Sequence, residues 1–388
     1  MQKLCFLFNH DQTHQIAHSL PIALELIQLG GTQVTLAVTS DILEQEIRKL
    51  AGGRLKGADL VRLTPKSWAS RAIGDALDTL VPARKLLIYR DHLDFFKRFD
   101  ALVVSEKSSL LLKSRYGLTD LKFIHTRHGA GDRAIGFNPE SAKFDLILVA
   151  GSKIQNRLIA DAGVSPDKIR VTGYAKFDLF GQSKTQLPFP DTSRKTVWYN
   201  PHPSPHLSSW YKMGPAILEQ FYRSDRYNFV FAPHIMLFER PWAVTIDRLS
   251  VARAKKPERR FYDAPHFIVD TGSGKSSDMT YALGADLYLG DASSQIYEFL
   301  ALPRPCLLLN AHDTAWQGDP NYGHWLAGDV IQSADDIIAS VDRAFERQAE
   351  YHPVQQRMLA ETFSVTDTPA SARAAAAIKE FLSKQGAT

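Results

Sequence analysis

Short apolar runs rich in Val, Ile, Leu and Phe recur along the chain, separated by stretches long enough to be helices. The first series is Leu4–Phe8, Val34–Val38, Leu60–Leu63, Ala101–Val104, Phe123–His125, Leu146–Val149 and Ile169–Thr172. Between the first two runs, Ile16, Leu20, Ala23, Leu24 and Ile27 fall at helical spacing, which predicts a helix over Gln15–Leu29. Gly30 and Gly31 end it, because glycine takes up the left-handed conformation that closes a helix. Repeated strand–helix units of this kind predict a parallel sheet covered on both faces.

The periodicity stops at Gln186–Lys195, a polar stretch interrupted by prolines. A second series then begins: Thr196–Tyr199, Phe229–Phe231, Phe267–Val269, Leu287–Leu289 and Cys306–Leu309, again with helix-length intervals. The predicted fold class is α/β: two doubly wound, Rossmann-like domains facing an interdomain cleft. Their expected bounds are residues 1–185 and 196–370, with 371–388 as a closing helix built on the alanine-rich Ser371–Ser383.

Open parallel sheets bind ligands at the carboxyl ends of their strands, so the strand-to-helix loops are where chemistry is expected. Four stand out. After Leu287–Leu289 comes Gly290-Asp291-Ala292-Ser293-Ser294, a turn into a helix, where hydroxyls and unpaired backbone N–H groups suit a phosphate. Glu298, one turn further on, is able to accept hydrogen bonds from both hydroxyls of a ribose. A serine at a helix start is equally what a plain N-cap looks like. After Phe123–His125, the loop gathers His128, Gly129, Gly131, Asp132 and Arg133. Histidine titrates near neutrality, so His128 suits the removal of a proton from a hydroxyl, with Asp132 orienting the ring. The strand Phe229–Phe231 emerges at Pro233-His234, where His234 suits a phosphate contact or interior packing. The fourth loop, after Ile169–Thr172, carries Gly173, Tyr174 and Asp178, and reads equally as a tight turn.

Other signals do not hold. Gly272–Ser277 ends like a phosphate-binding loop, but the first glycine that motif requires falls on Val269; only Lys275 remains as an anion contact. No HExxH or paired CxxC accompanies the thirteen histidines, and Asn200-Pro-His-Pro-Ser-Pro-His is too rich in proline to set two ligands on one helix face. No metal and no cofactor is expected.

Composition narrows the class. With 388 residues, 44% hydrophobic and 23% charged, the chain is neither disordered nor a disulfide scaffold. Two cysteines far apart in sequence fit a reduced compartment. No apolar run reaches membrane-span length, and Met1–Phe8 does not resemble a signal peptide, so a cytoplasmic protein is expected. Net charge is only +4, yet Arg48–Arg133 holds 18 Lys/Arg against 9 Asp/Glu. That excess, with Trp68, Tyr89, Phe95, Phe96 and Phe99, suits peripheral contact with an anionic membrane, although the aromatics equally suit a core. No nucleic-acid reader motif occurs, so no nucleic-acid partner is expected.

Taken in order, the four loops resemble the CDP-glycerol glycerophosphotransferase family of teichoic-acid-type polymerases, which has a GT-B fold. The matching residues are His128-Gly129, Gly173-Tyr174 with Asp178, Pro233-His234, and Asp291-Ala292-Ser293-Ser294. The resemblance implies that His128 deprotonates an acceptor hydroxyl, and that His234, Ser293 and Ser294 hold donor phosphates. It implies nucleotide-binding roles for Gly173, Tyr174 and Asp291. The helix carrying Glu298 is similar to that of UDP-N-acetylglucosamine 2-epimerases, where the matching residue grips the ribose. The implied activity is transfer of a glycosyl or glycerol-phosphate unit from a CDP-, CMP- or UDP-linked donor to a hydroxyl of a glycan or lipid-linked acceptor. The chain departs from the family around Pro233-His234, flanked by Ala232 and Ile235, and at Asn200–His206, both where a donor would be read. An epimerase, or a non-catalytic nucleotide-binding partner, are the alternatives; the epimerase family's Gly-x-Arg-Pro loop is replaced here by Phe8-Asn9-His10-Asp11-Gln12.

Overall fold

The computed structural model describes residues 1–10, 12–67, 83–127, 129–239, 243–245 and 250–385. The chain divides into two compact units, each with its own parallel sheet.

The first unit comprises Met1–Gly129, Phe137–Gly181 and Glu361–Thr388. Its seven strands are β1 (Gln2–Phe8), β2 (Thr32–Val38), β3 (Asp59–Arg62), β4 (Ala101–Val104), β5 (Lys122–Thr126), β6 (Leu146–Val149) and β7 (Ile169–Val171). They lie in the order β3-β2-β1-β4-β5-β6-β7, all parallel. The strand order reverses between β1 and β4, which makes that junction a topological switch point. Alternate side chains of β1 serve opposite faces, as a pleated strand requires. Leu4, Phe6 and Phe8 join a core with the helices Leu20–Leu29 and Asp41–Ala51. Cys5 and Leu7 join another with Ile88, Tyr89, Phe96 and Phe144.

Local chemistry adjusts the expected elements. Residues Thr13–His18 form a 3₁₀ turn, and the α-helix runs only over Leu20–Leu29. Pro21 explains this: without an N–H it fits a first turn but not a helix interior. Gly30, at φ +66°, closes the helix as expected. The closing helix, Ala370–Gln385, belongs to the first unit, where Ala374, Ala375, Ile378 and Leu382 are buried. The returning backbone passes against Gly151, where a Cβ would lie 2.2 Å from the Glu361 carbonyl oxygen.

The second unit comprises Gln182–Ala360 together with Ala130–Gly136. The polar stretch Gln186–Lys195 lies wholly inside it, and the chain crosses between units at Gly181. Its sheet contains β8 (Lys195–Asn200), β9 (Tyr227–Phe231), β12 (Phe267–Val269), β13 (Leu287–Gly290), β14 (Cys306–Leu309) and β15 (Asp329–Ile331). The intervening β10 (Ala243–Thr245) and β11 (Ser250–Ala252) pair as a separate antiparallel hairpin. The order β12-β9-β8-β13-β14-β15 puts a second switch point between β8 and β13. The edge strand β15 and the two strands of the hairpin are three-residue strands that the reading of apolar runs did not pick out.

Candidate functional site

The carboxyl ends of β9, β8, β13 and β12 bring together most of the residues singled out from the sequence. His234 follows β9, Asp291–Ser294 follow β13, and Lys275 lies beyond β12. Between them, after β8, runs Asn200–His206.

Asp291 organises this loop cluster. Its side chain is fully buried, and both oxygens accept hydrogen bonds. Oδ1 takes the backbone N–H groups of His202 (2.8 Å) and Ala292 (2.7 Å). Oδ2 takes the N–H and hydroxyl of Ser209 (2.6 and 2.8 Å). Burial pushes its carboxyl up to about 6, while these four donors pull it down. Four donors on two oxygens are satisfied only by the carboxylate, the form present at neutral pH. Asp291 is therefore a brace that fixes the loop after β8 against the turn after β13.

Two neutral imidazoles lie at these strand ends. His202 Nδ1 accepts the Ser204 N–H at 3.0 Å, and His234 Nδ1 accepts the Met236 N–H at 3.3 Å. A neutral imidazole offers one lone pair and one N–H, so in His234 the proton sits on Nε2. Burial holds both rings neutral: it drives His202 far down, helped by His234 and Arg133, and lowers His234 to about 4. The ring centroids are 6.1 Å apart. Arg133 Nη1 lies 3.4 Å from His202 Nε2. A guanidinium only donates, so Arg133 and the Ser204 N–H compete for the one lone pair of the neutral His202 ring, and an oxyanion here would take the N–H that goes unmatched.

Arg133 arrives on the short excursion Ala130–Gly136, which packs within the second unit. Asp132 pins it there. Asp132 Oδ2 accepts from Tyr297 Oη (2.5 Å) and from the His324 backbone N–H (3.2 Å), and stands 3.1 Å from His324 Nδ1. His324 Nε2 and Trp325 Nε1 in turn meet the Asp291 carbonyl, at 3.1 and 2.9 Å. Gly131 presses on the serine turn, since a Cβ there would lie 2.9 Å from Ser294 Cβ. His128, the expected base that Asp132 was to orient, lies outside the described residues.

Ser293 is buried, its hydroxyl accepting the Gln295 N–H at 3.3 Å, whereas Ser294 is exposed. The helix they open, Gln295–Phe299, has only five residues, so its dipole is small. Any anion here would be held by discrete donors rather than by a long helix. Glu298 is buried on that helix. Lys275 is exposed on a turn that Asp270 fixes by accepting from Gly272 N (3.1 Å), Ser273 N (2.7 Å) and Tyr281 Oη (2.8 Å). Gln295 ties three strand ends together: its Nε2 donates to Ser276 O (2.5 Å) and its Oε1 accepts from Asn200 Nδ2 (2.9 Å).

Gly173 and Tyr174 belong to the first unit. Gly173, at φ +90°, leaves room for Arg373 and Ala370, which a Cβ would meet at 2.3 and 2.9 Å. Tyr174 is buried against His18, Phe177 and Phe363. Asp178 accepts the Ser371 N–H at 2.7 Å. All three residues thus seat the returning carboxyl-terminal segment.

Of the aromatics considered for a membrane, Tyr89 and Phe96 are wholly buried and Phe95 and Phe99 pack on the same core; Trp68 lies outside the described residues. Several basic residues nearby are paired, among them Arg62 with Asp41 and Glu44, Arg48 with Glu44, and Lys97 with Asp94. Among the described residues no helix is long and apolar enough to cross a membrane.

Sequence reasoning missed His324 and Gln295 as parts of the site, and it gave Arg133, Asn200 and His202 no role of their own although it singled out the loops that carry them. The two histidines had a signal, a Pro-His pair and a Gly-His pair in loops, but their partners are distant in sequence.

No protein-family model matches the chain, and no curated protein matches it by sequence. Solved structures do resemble it. The wall teichoic acid polymerase TagF aligns with 14% identity and a TM-score of 0.63, over 99% of this chain and 90% of that one. UDP-GlcNAc 2-epimerase from Neisseria meningitidis, bound to UDP-GlcNAc, aligns with 15% identity and a TM-score of 0.60, over 99% and 100% of the two chains. A putative UDP-N-acetylglucosamine 2-epimerase from Listeria monocytogenes gives 14% identity and 0.62, over 98% and 97%. Similarity along nearly the whole chain, with two doubly wound parallel sheets, establishes the GT-B fold.

Proposed function

We propose that the chain is a GT-B transferase that moves a glycosyl or glycerol-phosphate unit from a nucleotide-activated donor to an acceptor hydroxyl, without a metal. The observation that carries this reading is the neutral His234 imidazole, held as an Nε2–H donor, with neutral His202 and the Arg133 cation next to it at the switch point of the second sheet. Such donors suit a phosphodiester or diphosphate: they stabilise charge that grows on a departing phosphate and are already oriented before it grows. Ser293, Ser294 and Lys275 supply further polar contacts around that phosphate, and Glu298 takes the ribose. Asp132, anchored by Tyr297 and His324, steadies the loop from which His128 removes the acceptor's proton. The acceptor is a hydroxyl of a cell-envelope glycan or lipid-linked carrier.

A thermal-shift screen with CDP, CMP, UDP, GDP and ADP conjugates tests the reading, since a ligand bound only by the folded state raises the melting temperature. At least one conjugate should raise it in the parent protein and fail to do so in His234→Ala. If none does, the nucleotide-donor reading is wrong.

A second reading, an epimerase acting on a nucleotide sugar, is favoured by the full-length likeness to a structure bound to UDP-GlcNAc. Incubation with UDP-N-acetylglucosamine alone separates the two. Appearance of the 2-epimer without an added acceptor selects the epimerase.

A further inference from the structure

A cavity of about 380 Å³ lies in the second unit, where β14 and the edge strand β15 meet the loop that joins them. The loops gathered around His234 and Asp291 follow other strands, and none of their residues lines it. Its size falls within the roughly 300–1,000 Å³ of small-molecule sites. Three aromatic rings wall it, those of Trp316, Trp325 and Tyr351, and its polar side chains are the carboxamides of Asn310, Gln317 and Gln332. Among the described residues, no side chain that lines it is charged.

Each ring is held from behind. Trp316 opens a turn that the Asp319 N–H closes on its carbonyl oxygen at 3.0 Å, and Gly318, third in that turn, takes φ +78°, which glycine adopts without strain. Trp325 donates its Nε1–H to the Asp291 carbonyl at 2.9 Å and packs on Trp316, with ring centroids 5.8 Å apart. Tyr351, from the helix Gln348–Phe363, donates its hydroxyl to Asp329 Oδ1 at 2.6 Å. Rings fixed in this way lose little freedom when a ligand arrives. Asn310 is committed too, since its Nδ2 donates to Thr314 O (3.0 Å) and its Oδ1 accepts the Thr314 N–H (2.8 Å). Gln317 and Gln332 stand exposed at the rim beside Leu326, which is 51% exposed.

This lining selects its ligand. A charged ligand would lose hydration with no opposite charge to replace it. A wholly apolar one would make no use of the rim carboxamides. A pyranose ring suits both features. The C–H bonds on its face pack against an aromatic ring, and the hydroxyls on its edge exchange hydrogen bonds with a carboxamide, which both donates and accepts. The planes of Trp316 and Trp325 are inclined at 64°, so they form no parallel-sided slot for a flat nucleobase.

We propose that this cavity is a binding site for a neutral pyranose, with Trp316 as the stacking platform and Gln317 and Gln332 as the hydroxyl contacts. The site is additional to the nucleotide donor's, and its occupancy does not depend on the transferase reading.

Indole ¹⁵N NMR of the full chain, labelled at tryptophan, tests it. The probes are the methyl glycosides of glucose, galactose and N-acetylglucosamine, with Trp316→Phe to assign the Trp316 signal. At least one glycoside should shift that signal in a saturable way. Saturation-transfer NMR on the same glycoside should show affinity reduced about tenfold in Trp316→Ala and several-fold in Gln332→Ala. Trp316→Phe should keep more of it than Trp316→Ala, as a stacking role requires. Gln317→Ala, at an exposed position, replaces Trp316→Ala if that variant does not fold, and should also weaken binding several-fold. An unmoved Trp316 signal with all three glycosides, or undiminished binding in Trp316→Ala and Gln332→Ala, overturns the proposal. A shift caused by uridine alone overturns it in favour of a nucleobase site. His234→Ala should abolish the nucleotide's thermal shift and leave the glycoside response intact, so the two readings fail separately.

Discussion

His202 and His234 owe their chemistry to what sits behind each ring. In His234 the Met236 N–H occupies Nδ1 and leaves Nε2 as the donor, while His202 faces the Ser204 N–H at Nδ1 and Arg133 at Nε2. The side chain's size matters less than this polarity, so His234→Gln should retain more nucleotide affinity than His234→Ala, which should lose about tenfold or more in a titration. The pH response follows from the same burial. His234 binds its proton less readily folded, at about 4, than unfolded, at about 6.5. Its contribution to stability is therefore complete above pH 6.5 and is lost as pH falls towards 4. His234→Gln should remove that part of the acid sensitivity, measured as urea midpoints at pH 4.5 and 7. Gly131 acts through space rather than charge. Gly131→Ala would drive a methyl group into Ser294 Cβ and should weaken nucleotide binding several-fold while the fold survives.

Loops and helices become useful here through braces that join one element to another. Asp291 joins the loop after β8 to the turn after β13 by four hydrogen bonds. Asp291→Asn replaces an acceptor by an NH₂ that must face N–H groups, and should destabilise the second unit by about 2–4 kcal/mol in urea denaturation. The closing helix braces the first unit in apolar fashion. Ile378 is fully buried there, so Ile378→Ala should cost about 2–5 kcal/mol.

At the scale of the whole molecule, the units are interleaved in sequence. Ala130–Gly136 leaves the first half of the chain to join the second unit, and Glu361–Thr388 returns to the first. Truncation after Ala360 strips the first core of Ala374, Ala375, Ile378 and Leu382. Such a chain should lose the first unit's protection in hydrogen exchange while the second unit keeps its own. Loss of both together would show that the second core does not stand alone.

Apolar runs and helical spacing determined the α/β class, the parallel strands and the residues at their carboxyl ends, because burial on both faces of a sheet leaves a local, periodic trace. On that basis His234, Asp291, Ser293, Ser294 and Lys275 could be placed on loops of one sheet before any coordinates. Polar partnership leaves no such trace. That Asp291 is a buried brace reaching His202 and Ser209, that Asp132 is tied to Tyr297 and His324, and that Gly173, Tyr174 and Asp178 seat a returning helix depended on contacts between residues far apart in sequence. Those pairings form as each unit packs and brings its own loop ends together, and only the tertiary structure could decide them.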